Sequence, residues 1–446
     1  MFKTLKNAWK TPELQKKMLF TLFVILLYRL GACIMVPYVS SNVADSFNAL
    51  YGSSVLGLMS ILSGGALQYA TLFALSVSPY ITASIVMQLL TIAIPPLERM
   101  AKDGANGQKK INTITRYVTV ALAIVTSYGY SMLLSTQGWL VRDDWFALLV
   151  INACFCAGAS LVMWLAELIN ERGIGNGISI ILFANIISRL PSVAQNLWNV
   201  IVMRDYVSVK AVAVVIGVAI ALVIIAIMIA AVGFVVWVTN SERRIPIQYA
   251  KRVVGRKMYG GQSTNLPIKL NMTGVMPIIF ASSIVSFPAT IAAFFTKENG
   301  FTRFVDSFLS PSTWIYLVLF LVLIVAFSYF YVLISFNPVE VANNINSNGG
   351  AIPGHRPGRP TVQYINRILK RVTLIGAIFL CIVAGLPMLV TVITSALTDL
   401  GVQNVPNLSG LTFGGSSLLI VVGVALETIR DLEAQLSMRQ SKGFLA

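Results

Sequence analysis

Few residues in this chain are equipped for chemistry, and their spacing argues against a reaction. The single histidine, His355, stands in a Pro/Gly-rich stretch with no cysteine or carboxylate constellation around it. A nucleophile–base pair or a metal site needs such neighbours. Cys154 and Cys156 form a C-x-C with no second Cys/His pair nearby, so zinc is not indicated. Together with Cys33 and Cys381 they lie in apolar runs and read as small buried hydrophobes. Glu167 and Glu427 fall near the ends of apolar segments, where they reach water, and Arg29 lies midway along the first. Membrane enzymes and ion-coupled transporters place ionisable groups in mid-span; here the segment centres are almost empty of charge. No phosphate loop is present. The expectation is therefore no enzyme, no cofactor and no metal, but a path with a neutral, apolar lining.

The elements that must build such a path are long and greasy. Of 446 residues, 56% are hydrophobic and only 11% are charged, with a mean hydropathy of +0.78. That composition defines a polytopic membrane protein. Apolar windows predict ten spans, at about 18–36, 70–94, 116–134, 146–168, 177–198, 209–238, 272–295, 312–336, 371–391 and 410–429. Met1–Lys17 is polar and basic, and the run behind it is long enough to span, so it reads as a retained helix rather than a cleavable signal. Ten spans put both termini on one side. Of the 33 Lys and Arg residues, 26 fall on that side and five on the other, leaving only Arg29 and Arg189 in or at the end of a span. The bias predicts cytoplasmic termini.

Two basic loops on that side stand out. Residues 239–270 carry Arg252, Arg256 and Lys257, and residues 337–370 carry Pro353-Gly354-His355-Arg356-Pro357-Gly358. Such loops attract anionic lipid headgroups. Their length, and the Pro/Gly density that fixes Arg356, also suit docking of a soluble acidic partner. Sparse aromatic interleaving argues against direct single-strand binding.

Val55–Leu90 is the most informative stretch. A short apolar piece ends at Ser63-Gly64-Gly65, and a second apolar run starts near Tyr69. The first piece is too short to cross a bilayer, and lipid cannot satisfy a broken helix. It fits inside protein or a water-filled cavity, as in a gated path. A secondary permease would need intramembrane ion or solute ligands, which are not found. A scaffold or insertase without a pore would not need the short segment.

Further motifs run in order along the chain: Ser63–Leu67, Ser78–Ile85, Glu171–Ile180, Gln262–Thr264 with Leu266-Pro267, Phe280–Ser283, Asn337-Pro338, Pro353–Gly358 and Phe413–Ile420. Through them nearly the whole chain resembles the SecY family of protein-conducting channels. The resemblance implies an all-α polytopic fold of ten transmembrane helices, in two inverted, pseudo-symmetric five-helix halves (1–200 and 201–446) around an hourglass pore. The halves would hinge near Pro191–Lys210. It implies a plug helix at about 55–67, with Leu58, Ile61, Leu62 and Ser63 in the plug and Gly64 and Gly65 as its hinge. The family's pore ring falls on Val77, Ile81, Leu182, Ile279 and Ile420, with Ile85 or Val86 completing it. A lateral gate, between spans 2 and 3 on one side and 7 and 8 on the other, would carry the polar residues Gln88 and Asn271. Arg252, Arg256, Lys257 and Arg356 would dock a SecA-type motor ATPase or the ribosome. Small SecE-like and SecG-like membrane subunits, with span 1 and Arg29 contributing to such contacts, would complete the assembly. Signal sequences and unfolded preproteins would be its cargo, with no small-molecule substrate, in the bacterial cytoplasmic membrane.

Overall fold

The computed structural model describes residues 2–51, 55–189, 229–249, 252–254, 257–259, 263–292, 300–309, 313–399 and 414–442, with isolated positions 191, 192, 195 and 226. The Pro191–Lys210 hinge, the end of span 5 and most of span 6 thus lie largely outside the described residues.

Helices α1 (Phe2–Lys10) and α2 (Pro12–Gly31) are followed by a short α3 (Val43–Tyr51), which the apolar windows did not announce. Helix α4 (Val55–Leu62) is the short apolar piece. The next window, expected as a helix over 70–94, is helical only from Ser78 to Ala93 (α5). Residues 66–77 instead form a chain of turns, tied down by an isolated bridge between Met35 and Thr71. Ala70 and Ser76 take left-handed backbone there, a conformation that costs an L-residue about 1–2 kcal/mol and persists only where surroundings impose it. Pro95-Pro96 stops α5, because proline forbids the residue before it to stay helical. Helix α6 (Pro95–Lys102) therefore leaves at 101°.

Helices α7 (Ala105–Thr136), α8 (Trp145–Arg172) and α9 (Gly177–Ser188) complete the first half. The second half contains α10 (Ile229–Asn240), α11 (Met276–Ala292), α12 (Gly300–Phe308), α13 (Trp314–Ser335), α14 (Pro338–Ser347), α15 (Arg359–Asp399) and α16 (Gly414–Lys442). Among the described residues, four helices are long and apolar enough to cross a bilayer, and the bent α5–α6 pair makes a fifth. The other expected spans fall on shorter or more charged helices: α2, for instance, carries Glu13, Lys16, Lys17 and Arg29 within its 20 residues.

The chain is not wholly α-helical. The basic stretch 239–270, expected as a loop, folds into strands β1 (Glu242–Tyr249), β2 (Arg252–Val254), β3 (Lys257–Tyr259) and β4 (Ser263–Lys269). β1 pairs antiparallel with β4, and β2 with β3. A two-residue strand, β5 (Gly350–Ala351), adds to the other edge of β1 through Gln248↔Ala351 and Tyr249↔Gly350. The two basic loops are thereby one unit. Beneath the sheet Ile245, Ile247 and Ile268 bury against Ile345 of α14 and Ile365 and Leu369 of α15, the period-two burial a one-faced sheet requires.

Candidate functional site

The five expected ring residues come from four helices that are remote in sequence. Ile81 lies on α5 with Val77 capping its start, Leu182 on α9, Ile279 on α11 and Ile420 on α16. The structure brings them all into one contiguous apolar cluster, none more than 6% exposed. Ile81 donates its backbone N–H to the Val77 carbonyl at 3.0 Å, so these two share a face although Val77 precedes the helix. Ile85 is buried in the same cluster, whereas Val86 is 37% exposed. Of the two candidates for a sixth position, Ile85 is the one that faces inward.

Helix α4, the expected plug, packs against α9 and α11, and Leu62 sits against the cluster that holds the expected ring residues. The side chains of Leu58 and Ile61 are outside the described residues. After Leu62 the backbone turns at Gly64 and Gly65, with φ of +68° and +91°. Glycine alone adopts such angles without strain. Ser63 secures the turn by donating to the Ser60 carbonyl at 3.0 Å and accepting from the Leu67 N–H at 3.1 Å. Tyr130 of α7 donates to the Leu67 carbonyl.

A cleft of about 50 Å³ opens beside the plug, lined by Leu56 and Met59 of α4, Thr82 of α5, Tyr130 of α7 and Phe287 of α11. The helices expected at the lateral exit, those of spans 2, 3 and 7, thus meet around it. The two expected gate amides behave differently. Asn271 precedes α11, its backbone seated against Gly376 of α15, and its amide oxygen accepts from the Thr273 hydroxyl at 3.2 Å. The Oε1 of Gln88 is buried with no hydrogen-bond partner among the described residues. Among the described residues the two amides are therefore not bonded to each other, and Asn271 bonds within its own turn.

On the basic face Arg356 is exposed. Its loop is held by Thr361, which donates to the Arg356 carbonyl at 2.8 Å, and by the His355 and Tyr364 rings, with centroids 4.0 Å apart. Arg252 and Lys257 sit on β2 and β3, their side chains undescribed; Arg256 lies outside the described residues. Burial, and then the nearby Arg430 guanidinium, lowers the Lys269 ammonium below the usual lysine value. Glu167, the near-terminal carboxylate of α8, pairs with Arg116 at 2.8 Å. The Glu171–Ile180 motif is a knot between spans. Gly175 donates its N–H to Asp431 of α16 at 3.0 Å, and Ile174 donates to Thr21 of α2 at 3.2 Å.

Sequence reasoning missed three residues beside the plug. Asn185 and Arg189 of the α9 end, and Gln68 in the turns, hydrogen-bond to or around α4. The available signal was an amide and a guanidinium interrupting an apolar run. Arg29, expected to contribute to contacts with a partner subunit, makes a bond within the chain: Nη1 donates to Asn185 Oδ1 at 3.4 Å.

A contiguous cluster of branched apolar side chains, with a short helix packed against it in a polytopic helical frame, is the arrangement expected of a gated membrane channel. The SecY family model matches residues 71–429. Along its full length the chain is 43% identical to the protein translocase subunit SecY of Streptomyces galbus, over 459 aligned residues covering 100% of each. The chain belongs to the SecY family. Its fold is similar to that of a solved SecY whose plug domain stabilises the closed channel and maintains a membrane seal (TM-score 0.60, 18% identity, 94% of this chain and 92% of that one). It is also similar to Sec61 in the canine ribosome–channel complex (TM-score 0.57, 15% identity, 94% and 92%).

Proposed function

We propose that the chain is the pore-forming subunit of a gated protein-conducting channel. It passes unfolded secretory polypeptides across the bacterial cytoplasmic membrane and releases apolar segments sideways into lipid. The observation that carries this reading is the convergence of Val77, Ile81, Leu182, Ile279 and Ile420 into one buried cluster with the plug packed against it. Branched apolar side chains exclude water and ions when the ring is narrow, yet give a sliding peptide no strong site to stick to. Residues 1–200 and 201–446 are the two halves, and both termini are cytoplasmic, as the 26-to-5 distribution of Lys and Arg supports. The cleft between α4, α5, α7 and α11 supports α5/α7 against α11 as the seam that admits an apolar segment.

The chain supplies no catalysis of its own; energy comes from a SecA-type motor or the ribosome docked on the joined basic loops, with SecE-like and SecG-like subunits alongside. The test is a photoreactive residue at Ile81 or Ile420 with a precursor stalled in transit. Crosslinks to the precursor from both positions, and none from lipid-facing controls, are expected. Crosslinks to neighbouring helices alone, with motor and precursor bound, would make these residues packed core. In parallel, Arg356→Glu is expected to abolish motor-driven transport while the protein still folds; normal ATP-driven transport by that variant would remove Arg356 from the docking site.

A further inference from the structure

The plug is held by more than apolar packing. Asn185 is fully buried on α9. Its Nδ2 donates to the carbonyl of Leu62, the last residue of α4, at 2.9 Å, and to Ser76 Oγ at 3.2 Å. Its Oδ1 accepts from Arg29 at 3.4 Å. Both amide donors are thus used, together with one of the two acceptor positions of Oδ1. One helical turn on, Arg189 Nη2 donates to Ser60 Oγ of the plug at 3.1 Å and to Gln68 Oε1 at 2.9 Å. The two hinge glycines lie directly against this group. A Cβ on Gly64 would stand 2.9 Å from Arg29 Nη1 and 3.0 Å from Asn185 Oδ1; one on Gly65 would stand 3.3 Å from Arg189 Nη2. Ser76, the other partner of Asn185, is left-handed and immediately precedes the ring residue Val77.

We infer that Asn185 and Arg189, braced by Arg29, are the positioning residues that latch the plug shut, and that Asn185 ties plug release to movement of the ring. The inference rests on the channel reading above. The plug cannot leave without stripping a buried amide of its carbonyl partner and a partly buried guanidinium of two oxygens. Both losses are costly in a site shielded from water. Because the same amide also bonds Ser76, which the Tyr28 hydroxyl holds as well at 3.2 Å, displacing Asn185 loosens one of the two side-chain ties on the strained turn before Val77. An incoming apolar segment that parts α9 from α4 therefore needs to break one cluster to open both barriers.

The test reconstitutes the full chain with its partner subunits in proteoliposomes and reads two quantities separately. One is resting ion leak without cargo; the other is transport of precursors with intact or defective signal sequences. Asn185→Leu and Arg189→Gln are each expected to raise the leak by roughly tenfold, the scale of lost buried hydrogen bonds. Both variants should also gain transport of the defective precursor, and Arg189→Lys should restore most of the seal. Misfolding alone would not confer a gain of transport. Variants as tight as the parent, which transport the intact precursor and still reject the defective one, would overturn the latch and leave the channel reading standing. A parent chain that moves no precursor, beside an Asn185→Leu variant that leaks, would overturn the channel reading and keep the latch.

Discussion

Leu182 and Asn185 of α9 and Arg189 just past its end follow at i, i+3 and i+7, yet the two barriers proposed for them use opposite chemistry. Leu182 belongs to a collar with no polar side-chain atom. Asn185 and Arg189 belong to a plug seat fixed by directional hydrogen bonds. The collar can widen and narrow without leaving any donor unpaired, so it suits a surface over which every sequence must slide. The seat has one geometry in which all its groups are satisfied, so it suits a closed state that must be unique. Apolar packing tolerates volume-conserving change, whereas a buried polar cluster is satisfied or broken.

The sharpest way to break this contrast is to put seat chemistry into the collar. Ile279→Asn is expected to wet the ring and raise resting conductance more than any seat substitution, since an unpaired buried amide costs about 1–3 kcal/mol in the dry, closed form. Single-channel recordings check it. Gly64→Ala comes next. Positive φ and contact with Arg29 and Asn185 together disfavour the seated plug by roughly 1–2 kcal/mol, read as leak with normal expression. Gln88→Leu removes an acceptor that has no partner among the described residues. It should stabilise the closed seam slightly, by under about 1 kcal/mol, and raise the hydrophobicity needed for membrane insertion. Asn271→Leu, whose amide serves its own turn, should move that threshold independently. Additive shifts in an insertion assay are expected, and strong coupling between the two would mean they bond in the closed gate. The smallest effect belongs to Leu182→Ile, a collar swap of equal volume that should leave leak and transport within error.

The residues proposed for the collar could be named from the sequence and those of the seat could not, for a physical reason. Long apolar windows mark spans because lipid demands them, and the resemblance then assigns Val77, Ile81, Leu182, Ile279 and Ile420. The seat depends on contacts across up to 156 residues, such as Arg29 to Asn185, which no local pattern reports. The turns at 66–77 were hidden because apolar composition alone cannot tell a buried non-helical segment from a helix. The β-sheet was missed among basic residues, although Ile245 with Ile247 and Leu266 with Ile268 alternate as a one-faced strand pair should. Pro246, opposite Asn265, and Pro267, opposite Arg244 in the register, disguised it.

The two-residue seam of β5 against β1 has a mechanical meaning. It closes a brace between stretches some hundred residues apart in the sequence. Arg356 stands just beyond one arm, and the other arm runs through β4 into α11, which bears Ile279. A load applied at either loop is shared by both before it reaches the bilayer. The loops cannot be pulled apart without first unzipping backbone hydrogen bonds over an apolar core. A grip on one handle therefore serves as a grip on two.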